Sequence, residues 1–204
     1  MDLSFLWSLN NEVHRDLAWL IASPSLLRST GDIDAVSSAE YRQWFEETKD
    51  WIQEEDQRYP FYLQDAVNTP RQYKLGLYAE DLFLYFIQNT DLYELLLHDM
   101  QVFDQVDVKR CIGAMDFIVR NQKTGSVEHW EMAIKYYSQW CRSTDWLDFI
   151  GPTGQDSMQR KLNRMLVRQL PLSKRPESLT LFREKGIPPL ERWRLVSKGR
   201  FFQS

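Results

Sequence analysis

Hydrophobic and polar residues alternate along two neighbouring segments in the middle of the chain, 113–120 and 129–137. A period of two is typical of a β-strand, whose side chains point to opposite faces in turn. A short polar loop that contains Gly125 separates the two segments, and glycine readily adopts the positive φ that tight turns require. The pattern therefore predicts a β-hairpin in this part of the chain.

A period near 3.6 residues, typical of amphipathic helices, precedes the hairpin. Ser37 begins one such segment and Glu40 follows three residues later, which is the pattern of an N-terminal capping box. We therefore expect helices over 12–27, 37–52 and 73–88, the first of them broken by Pro24.

The segments on either side of the hairpin complete the predicted fold. Evenly spaced valines predict a strand over 100–112, and the leucines at 95–97 predict a short helix that leads into it. Beyond the hairpin, apolar residues at helical spacing continue to Leu170, and Asp156 is the expected N-cap of that basic amphipathic helix. Helices followed by three strands and a helix predict an α/β (α+β) architecture.

The length and composition favour one core. Of the 204 residues, 43% are hydrophobic, which is enough for one substantial core but not for two of equal size. We divide the chain into an N-terminal helical segment packed on the core (1–70), the core itself (71–172) and a basic C-terminal extension (173–204). The abrupt aromatic end of the chain leaves a truncated C-terminus as an open alternative.

The net charge of −4 conceals two parts of opposite sign. Segment 155–204 has twelve Lys and Arg against four Asp and Glu, a balance of +8, so the rest of the chain carries −12. A basic segment can bind phosphates, although charge alone favours a helix face that merely stays solvated. The sequence leaves the oligomeric state open.

The location of the protein is inferred from patterns that the sequence lacks. No run is long and apolar enough for a membrane helix, and the first residues do not have the layout of a secretory signal. We therefore expect a cytoplasmic protein that does not bind membranes. Cys111 and Cys141 are then expected to be buried, reduced thiols.

The second strand of the hairpin supplies the candidate chemistry. Glu131 and Lys135 are an even number of residues apart, so both side chains project from one face. If Asp116 projects from that face too, two carboxylates and an ammonium converge, the minimum set for a divalent cation and the water that it activates. Glu80, on one face of the preceding helix, is a further acid that needs a partner. We expect His129 to pack or to form hydrogen bonds rather than to act in catalysis.

This set of acids and a lysine resembles the PD-(D/E)XK nuclease superfamily. A longer series of segments resembles an uncharacterised bacterial family, the domain of unknown function 1853, from about residue 13 to 170. The longer series is the more specific resemblance, because ordered segments match by chance far less often than one short motif. The segments are 15–20, 75–80, 115–120, 129–135, and Gly151-Pro152 with Asp156, Lys161 and Gln169-Leu170.

The resemblance implies a restriction-endonuclease-like core with extra N-terminal helices. That core is a helix, a three-stranded β-meander, a helix and a further strand, and its implied activity is metal-dependent hydrolysis of phosphodiester bonds in DNA or RNA. Asp116, Glu131 and Glu80 would bind Mg²⁺ or Mn²⁺, and Lys135 would orient the attacking water. The residues that would contact the nucleic-acid backbone are Arg160, Lys161, Arg164 and Arg168.

Two positions depart from the superfamily pattern. Ala133 stands where a glutamate usually precedes the lysine by two residues, so Glu131 lies one alternation earlier, about 6–7 Å along the strand. Ala114 stands where similar sequences often carry an acid before the strand aspartate. Three alternatives therefore stay open: ordinary surface ion pairs, an inactive nuclease-like protein that still binds nucleic acid, and a protein–protein interaction module. In the last case the docking aromatics would include Trp44, Trp51 and Trp146.

Overall fold

One mixed β-sheet with helices packed against it forms the framework of the protein. The computed structural model describes residues 4–31, 33–69, 73–107, 109–139 and 145–202, and seven α-helices and five strands lie within them. The helices are α1 (Ser4–Ser8), α2 (Glu12–Ala22), α3 (Ser38–Arg58), α4 (Pro60–Val67), α5 (Leu75–Asn89), α6 (Met158–Arg164) and α7 (Pro176–Glu184). The strands are β1 (Tyr93–Phe103), β2 (Cys111–Asn121), β3 (Val127–Gln139), β4 (Phe149–Ile150) and β5 (Arg192–Phe202). The predicted mixed α/β architecture is confirmed.

Helix α3 begins where the capping pattern predicts. The Ser37 side chain accepts a hydrogen bond from the Glu40 backbone N–H (3.2 Å), and the Glu40 carboxylate accepts one from the Ser37 N–H (2.9 Å). Two backbone donors that no helical carbonyl can reach are thereby satisfied. Buried Arg194 of β5 also donates to Glu40 (2.7 Å), so the cap joins α3 to the sheet.

The predicted short helix through 95–97 is wrong. These leucines lie in β1, where Leu97 pairs with Ile118 of the antiparallel strand β2. A short apolar run has no period that distinguishes a strand from a helix, so the local sequence could not decide between the two. The pairing with β2 decides it.

The predicted strand over 100–112 is wrong in its extent. Strand β1 ends at Phe103 and β2 begins at Cys111, so a turn interrupts the segment. On this turn the Asp104 carboxylate accepts the Val106 N–H (2.8 Å), and the Val106 side chain is 96% exposed. The spacing of the valines therefore did not reflect a buried face, and Val108 lies outside the described residues.

The predicted hairpin is confirmed, but its two strands separate early. Strands β2 and β3 are antiparallel, and Gly125 in their connection has a φ of +76°. Their ladder has four residue pairs, the last of which joins Phe117 to Trp130. Strand β4 pairs with β3 only at Ser138 and Gln139, so the edge of β3 has no strand partner between these ladders within the described residues.

Strand β5 covers the other edge of β3. It runs parallel to β3 over eleven residue pairs, and Leu195 and Val196 are fully buried. Arg194 and Lys198, which belong to the basic segment of the sequence, are buried as well, so their charges add nothing to a basic surface. Lys198 Nζ donates to the carbonyl oxygens of Ile21 (3.4 Å) and Ser23 (2.5 Å) at the end of α2.

Aromatic residues dominate the core between the sheet and the N-terminal helices. Trp44 stacks on Trp130 with ring centroids 5.6 Å apart, and it is only 5% exposed. The expectation that Trp44 docks a partner is therefore wrong. Trp51 packs against the same core in a partly buried position, whereas Trp146 is 43% exposed.

Two smaller expectations concern the surface and the membrane. Cys111 is exposed, so the expectation of a buried thiol is wrong at this position, and Cys141 lies outside the described residues. No helix in the described part of the chain has the length and apolar character needed to cross a bilayer.

Candidate active site

A cleft opens where β2 and β3 separate. Asp116 lies one residue beyond the end of the β2–β3 ladder, and its Oδ2 accepts a hydrogen bond from the backbone N–H of Met132 at 2.8 Å. The carboxylate takes the place of a ladder hydrogen bond. Because strand residues direct backbone groups to alternate edges, Ile134 and Tyr136 direct theirs toward the same opening. The cleft is about 400 Å³, and its polar lining includes Glu80, Lys135, Asp156 and Lys161.

Asp116 and Glu131, which we call the acid pair, face each other across the two strands. They lie one residue beyond the last ladder pair, Phe117 with Trp130, where Asp116 forms hydrogen bonds with Glu131, and Glu131 is fully buried. Burial, together with the charge of Glu131, raises the pKa of Asp116 to about 7. Burial also raises the pKa of Glu131 to about 7, against the lowering effect of the positive charge of Lys161. The acid pair therefore retains protons near neutral pH.

A hydrogen-bonded chain lies behind Glu131. Its Oε1 is 3.0 Å from Nε2 of His129, whose Nδ1 is 2.9 Å from Oγ of Ser173. Trp193 Nε1 donates to the same Oγ at 2.8 Å. Burial lowers the pKa of His129 to about 4, so the ring is neutral at neutral pH. The expected hydrogen-bonding role of His129 is confirmed.

Lys161 of α6, rather than Lys135, is the amine beside the acid pair. Gln169 donates to Glu131 Oε2 at 2.5 Å and accepts from Lys161 Nζ at 3.4 Å. Burial lowers the pKa of Lys161, while the negative charges of Asp116 and Glu131 act in the opposite direction. The sequence had suggested Lys161 only as a contact to the nucleic-acid backbone.

Lys135 lines the same cleft, and its positive charge contributes to the lowered pKa of Lys161. Its Nζ donates to Asp156 Oδ2 at 2.7 Å, and the Tyr137 hydroxyl donates to the same oxygen at 3.1 Å. Lys135 is four positions after Glu131 in the sequence, and four positions span about 13 Å along a strand. The expected role of Asp156 as N-cap of α6 is wrong, because the Ser157 side chain accepts the Arg160 N–H instead (3.4 Å).

Glu80 of α5 completes the acidic side of the cleft. It lines the opening, and its negative charge contributes to the raised pKa of Glu131. Even so, the part of the chain that the structure describes has no group of three or more His, Cys, Asp or Glu placed to hold a metal ion. The expected ligands Asp116 and Glu131 come together, and Glu80 lies near them without forming a three-ligand group.

The remaining basic residues of the expected nucleic-acid surface are spread around α6. Arg164 lies close enough to Lys161 for its positive charge to lower the pKa of Lys161. Arg160 and Arg168 are exposed and line two separate depressions outside the cleft. Of the four expected contacts, Lys161 alone is part of the cleft lining.

Several residues of the site were not predicted from the sequence. Gln169, Asp156 and Ser173 belong to segments without strand alternation, so no pattern connects them with Glu131. His129 is the exception, because it lies two residues before Glu131 in the same strand. Strand periodicity alone could have placed these two side chains on one face.

The comparisons with known proteins identify one family. The profile of a family described as Domain of unknown function (DUF1853) matches residues 15–204. The match includes β5, which lies beyond the segments whose resemblance was recognised in the sequence. Neither a curated protein nor a solved structure matches the chain.

Proposed function

The chain belongs to the DUF1853 family, and we propose that it is a metal-dependent nuclease with a restriction-endonuclease-like core. The observation that carries the proposal is the acid pair, two buried carboxylates next to the unpaired edge of β3, along which the cleft lies. Lys161 and Lys135 add positive charge to the lining of this cleft. Acids for a cation and amines for a phosphate are the groups that phosphodiester hydrolysis requires.

The donor set suits Mg²⁺ or Mn²⁺, although only two carboxylates are close together. Mg²⁺ usually keeps several waters and is bound through one or two carboxylates together with the substrate phosphates. Asp116 and Glu131 would be these carboxylates, and the backbone of Ile134 faces the same opening. A bound cation would supply an activated water and would neutralise charge on the phosphate.

The two lysines have different proposed roles. Lys161 lies beside the acid pair and would bind an oxygen of the scissile phosphate, where negative charge develops. Lys135, held by Asp156 and Tyr137, would bind a phosphate further along the strand. Arg164 extends this positive surface beyond the cleft, and such backbone contacts are independent of base sequence.

A second candidate function has its own support. Both oxygens of Glu131 already have protein partners, His129 and Gln169, and the described residues contain no three-ligand metal group. A nuclease-like protein that binds nucleic acid without cleaving it would have these features. Such a protein would use Lys161, Lys135 and Arg164 for the same phosphate contacts.

One experiment separates the two candidates. Purified protein is incubated with Mg²⁺ or Mn²⁺ and labelled single-stranded DNA, double-stranded DNA or RNA, and cleavage and binding are measured on the same samples. We expect the wild type to cleave, and Asp116→Asn and Glu131→Gln to lower the rate at least about 100-fold without loss of binding. Glu184→Gln, an exposed acid on α7, is the matched control.

Other results would change the conclusion. Equal cleavage by the wild type and both acid variants would show that a contaminant is responsible. Binding that weakens with salt, without any cleavage, would favour the inactive nucleic-acid-binding protein. If neither binding nor cleavage occurred, both candidates would be wrong.

A further inference from the structure

An apolar pocket lies outside the cleft, between the turn 170–174, helix α7 and the start of β5. Its volume is about 800 Å³, within the range of about 300–1,000 Å³ that is typical of small-molecule sites. A backbone hydrogen bond from Ile187 N–H to the Phe182 carbonyl (2.8 Å) fixes the loop after α7, which contributes to its wall. The apolar side chains of its wall are Leu179, Phe182, Ile187, Pro188, Leu190 and Trp193.

Two cations line this pocket, and neither forms a salt bridge with an Asp or Glu among the residues that the structure describes. Lys174 Nζ lies 4.0 Å from the centroid of the Trp193 ring, and no Asp or Glu in the described ranges forms a salt bridge with it. Within the described part of the chain, Arg183 donates only to the Leu179 carbonyl (3.3 Å) and the Thr180 hydroxyl (3.2 Å) of its own helix. The pocket therefore combines an apolar interior with two positive charges that the described protein does not neutralise.

We propose that the apolar pocket binds a small amphiphilic carboxylate, with its hydrocarbon body against Phe182 and Ile187 and its carboxylate on Lys174 and Arg183. Burial of an aliphatic chain supplies affinity in proportion to the apolar area removed from water. The ion pair supplies selectivity for an acid over a neutral analogue of the same length. This site is independent of the proposed nuclease activity.

The pocket is also connected to the acid pair. Trp193 and Ser173 line it, and both belong to the hydrogen-bonded chain that continues through His129 to Glu131. A ligand in contact with the Trp193 ring is thus three hydrogen bonds away from Glu131 of the acid pair. The Trp193 indole N–H is therefore a specific reporter of binding.

The test uses decanoate, below its micellar concentration, and isothermal titration calorimetry with the full chain. We expect one saturable site, and a shift of the Trp193 indole N–H signal in an NMR spectrum that Trp193→Phe assigns. Octanoate should bind about 15-fold more weakly, since each methylene contributes about fourfold. Decanol and the double variant Lys174→Gln/Arg183→Gln should each weaken binding at least about tenfold.

Two further variants serve as controls, one outside the pocket and one in its wall. Lys185→Gln removes an exposed charge from the end of α7 that does not line the pocket, and it should bind decanoate as the wild type does. Leu179→Gln, at an exposed position of the wall, should weaken binding without affecting the fold. Absence of saturable binding, equal affinity for decanol, or unchanged binding by the double variant would each overturn the proposal. Tight binding of an acidic peptide but not of decanoate would overturn it too.

Discussion

The hydrogen bonds around His129 specify which atoms carry protons. Ser173 Oγ is close to three partners, the indole N–H of Trp193, the carbonyl of Leu170 and Nδ1 of His129. All three contacts are satisfied when Ser173 donates to Leu170 and accepts from the other two. His129 then has its proton on Nδ1, and its Nε2 accepts a hydrogen bond from the protonated carboxyl of Glu131. This assignment agrees with the raised pKa of Glu131.

Glu131→Gln is therefore expected to stabilise the fold at pH 8. The glutamine oxygen can accept from Gln169 and its amide can donate to His129, so both hydrogen bonds survive while the buried charge is removed. Because burial raises the pKa of Glu131 in the folded state, the wild-type fold loses stability as the pH rises from the ordinary pKa of a glutamate to about 7. We expect a gain on the order of 2 kcal/mol in the free energy of unfolding at pH 8.

Urea denaturation at two pH values measures this effect. At pH 4 Glu131 is largely protonated in both the folded and the unfolded state, so the variant and the wild type should have similar stability. A variant that is less stable than the wild type at pH 8 would contradict the proton assignment. Glu184→Gln, at an exposed position, should change stability little at either pH.

Lys161→Met and Lys135→Met provide a matched pair, because both amines line the same cleft. If the acid pair is the reaction centre, loss of Lys161 should lower kcat by about 100-fold, whereas loss of Lys135 should mainly raise KM. The reason is that Lys161 is bonded to Gln169 beside the acid pair, whereas the Lys135 amine is bonded to Asp156. Steady-state cleavage kinetics distinguish them, and the reverse ranking would assign the reacting phosphate to Lys135.

At the scale of elements, the hairpin could be predicted from alternation, but strand β5 could not be located. Arg194, Ser197 and Lys198 are buried polar residues in β5, so the strand has no run of apolar positions at alternate sites. Their partners come from distant segments: Glu40 for Arg194 and the end of α2 for Lys198. Buried polar residues are tolerated where such partners exist, and sequence does not reveal partners over 150 residues away.

Gly199→Ala tests the tight pairing of β3 with β5. Gly199 has a φ of +129°, and a Cβ at this position would lie 1.7 Å from the Lys135 carbonyl oxygen. Backbone atoms cannot move aside as a flexible side chain can, so the strands would separate. We expect the free energy of unfolding to fall by at least about 3 kcal/mol in chemical denaturation.

The control for this variant is Gly154→Ala. Gly154 also has a positive φ, +72°, but a Cβ there would meet no atom within 4 Å. The expected loss is about 1 kcal/mol, the ordinary penalty of a left-handed conformation. Similar losses for the two variants would mean that the close contact between β3 and β5 is absent in solution.

At the scale of the whole molecule, the cleft is assembled from elements that are far apart in the sequence. Strand alternation and register were enough to bring Asp116 and Glu131 together, because both lie in one hairpin. Alternation and register could not show that α6 places Lys161 beside the acid pair, or that Lys135 is bonded to Asp156. Those placements depend on how a helix packs against the sheet, which local periodicity does not encode.

The assembled cleft leads to a prediction about metal affinity and pH. Burial raises both pKa values of the acid pair to about 7, so a divalent cation must displace a proton from each carboxyl in order to bind below that pH. We expect the affinity for Mn²⁺ to rise by up to about 100-fold per pH unit between pH 5.5 and 7, about tenfold for each displaced proton, and then to level off. Carboxylates with ordinary pKa values would already have reached their full affinity near pH 5.5.

This affinity is measured by the paramagnetic broadening of NMR signals near Met132 from pH 5.5 to 8.5. The Met132 N–H is a suitable reporter because it donates a hydrogen bond to Asp116. Asp116→Asn should abolish the broadening, and Asp145→Asn, an exposed acid in the segment before β4, should leave it unchanged. An affinity that does not change over this pH range would show that the cation binds away from the acid pair. Broadening that is absent at every pH would leave the two carboxylates as a buried, proton-sharing pair, and nucleic-acid binding without cleavage would then be the better account of the cleft.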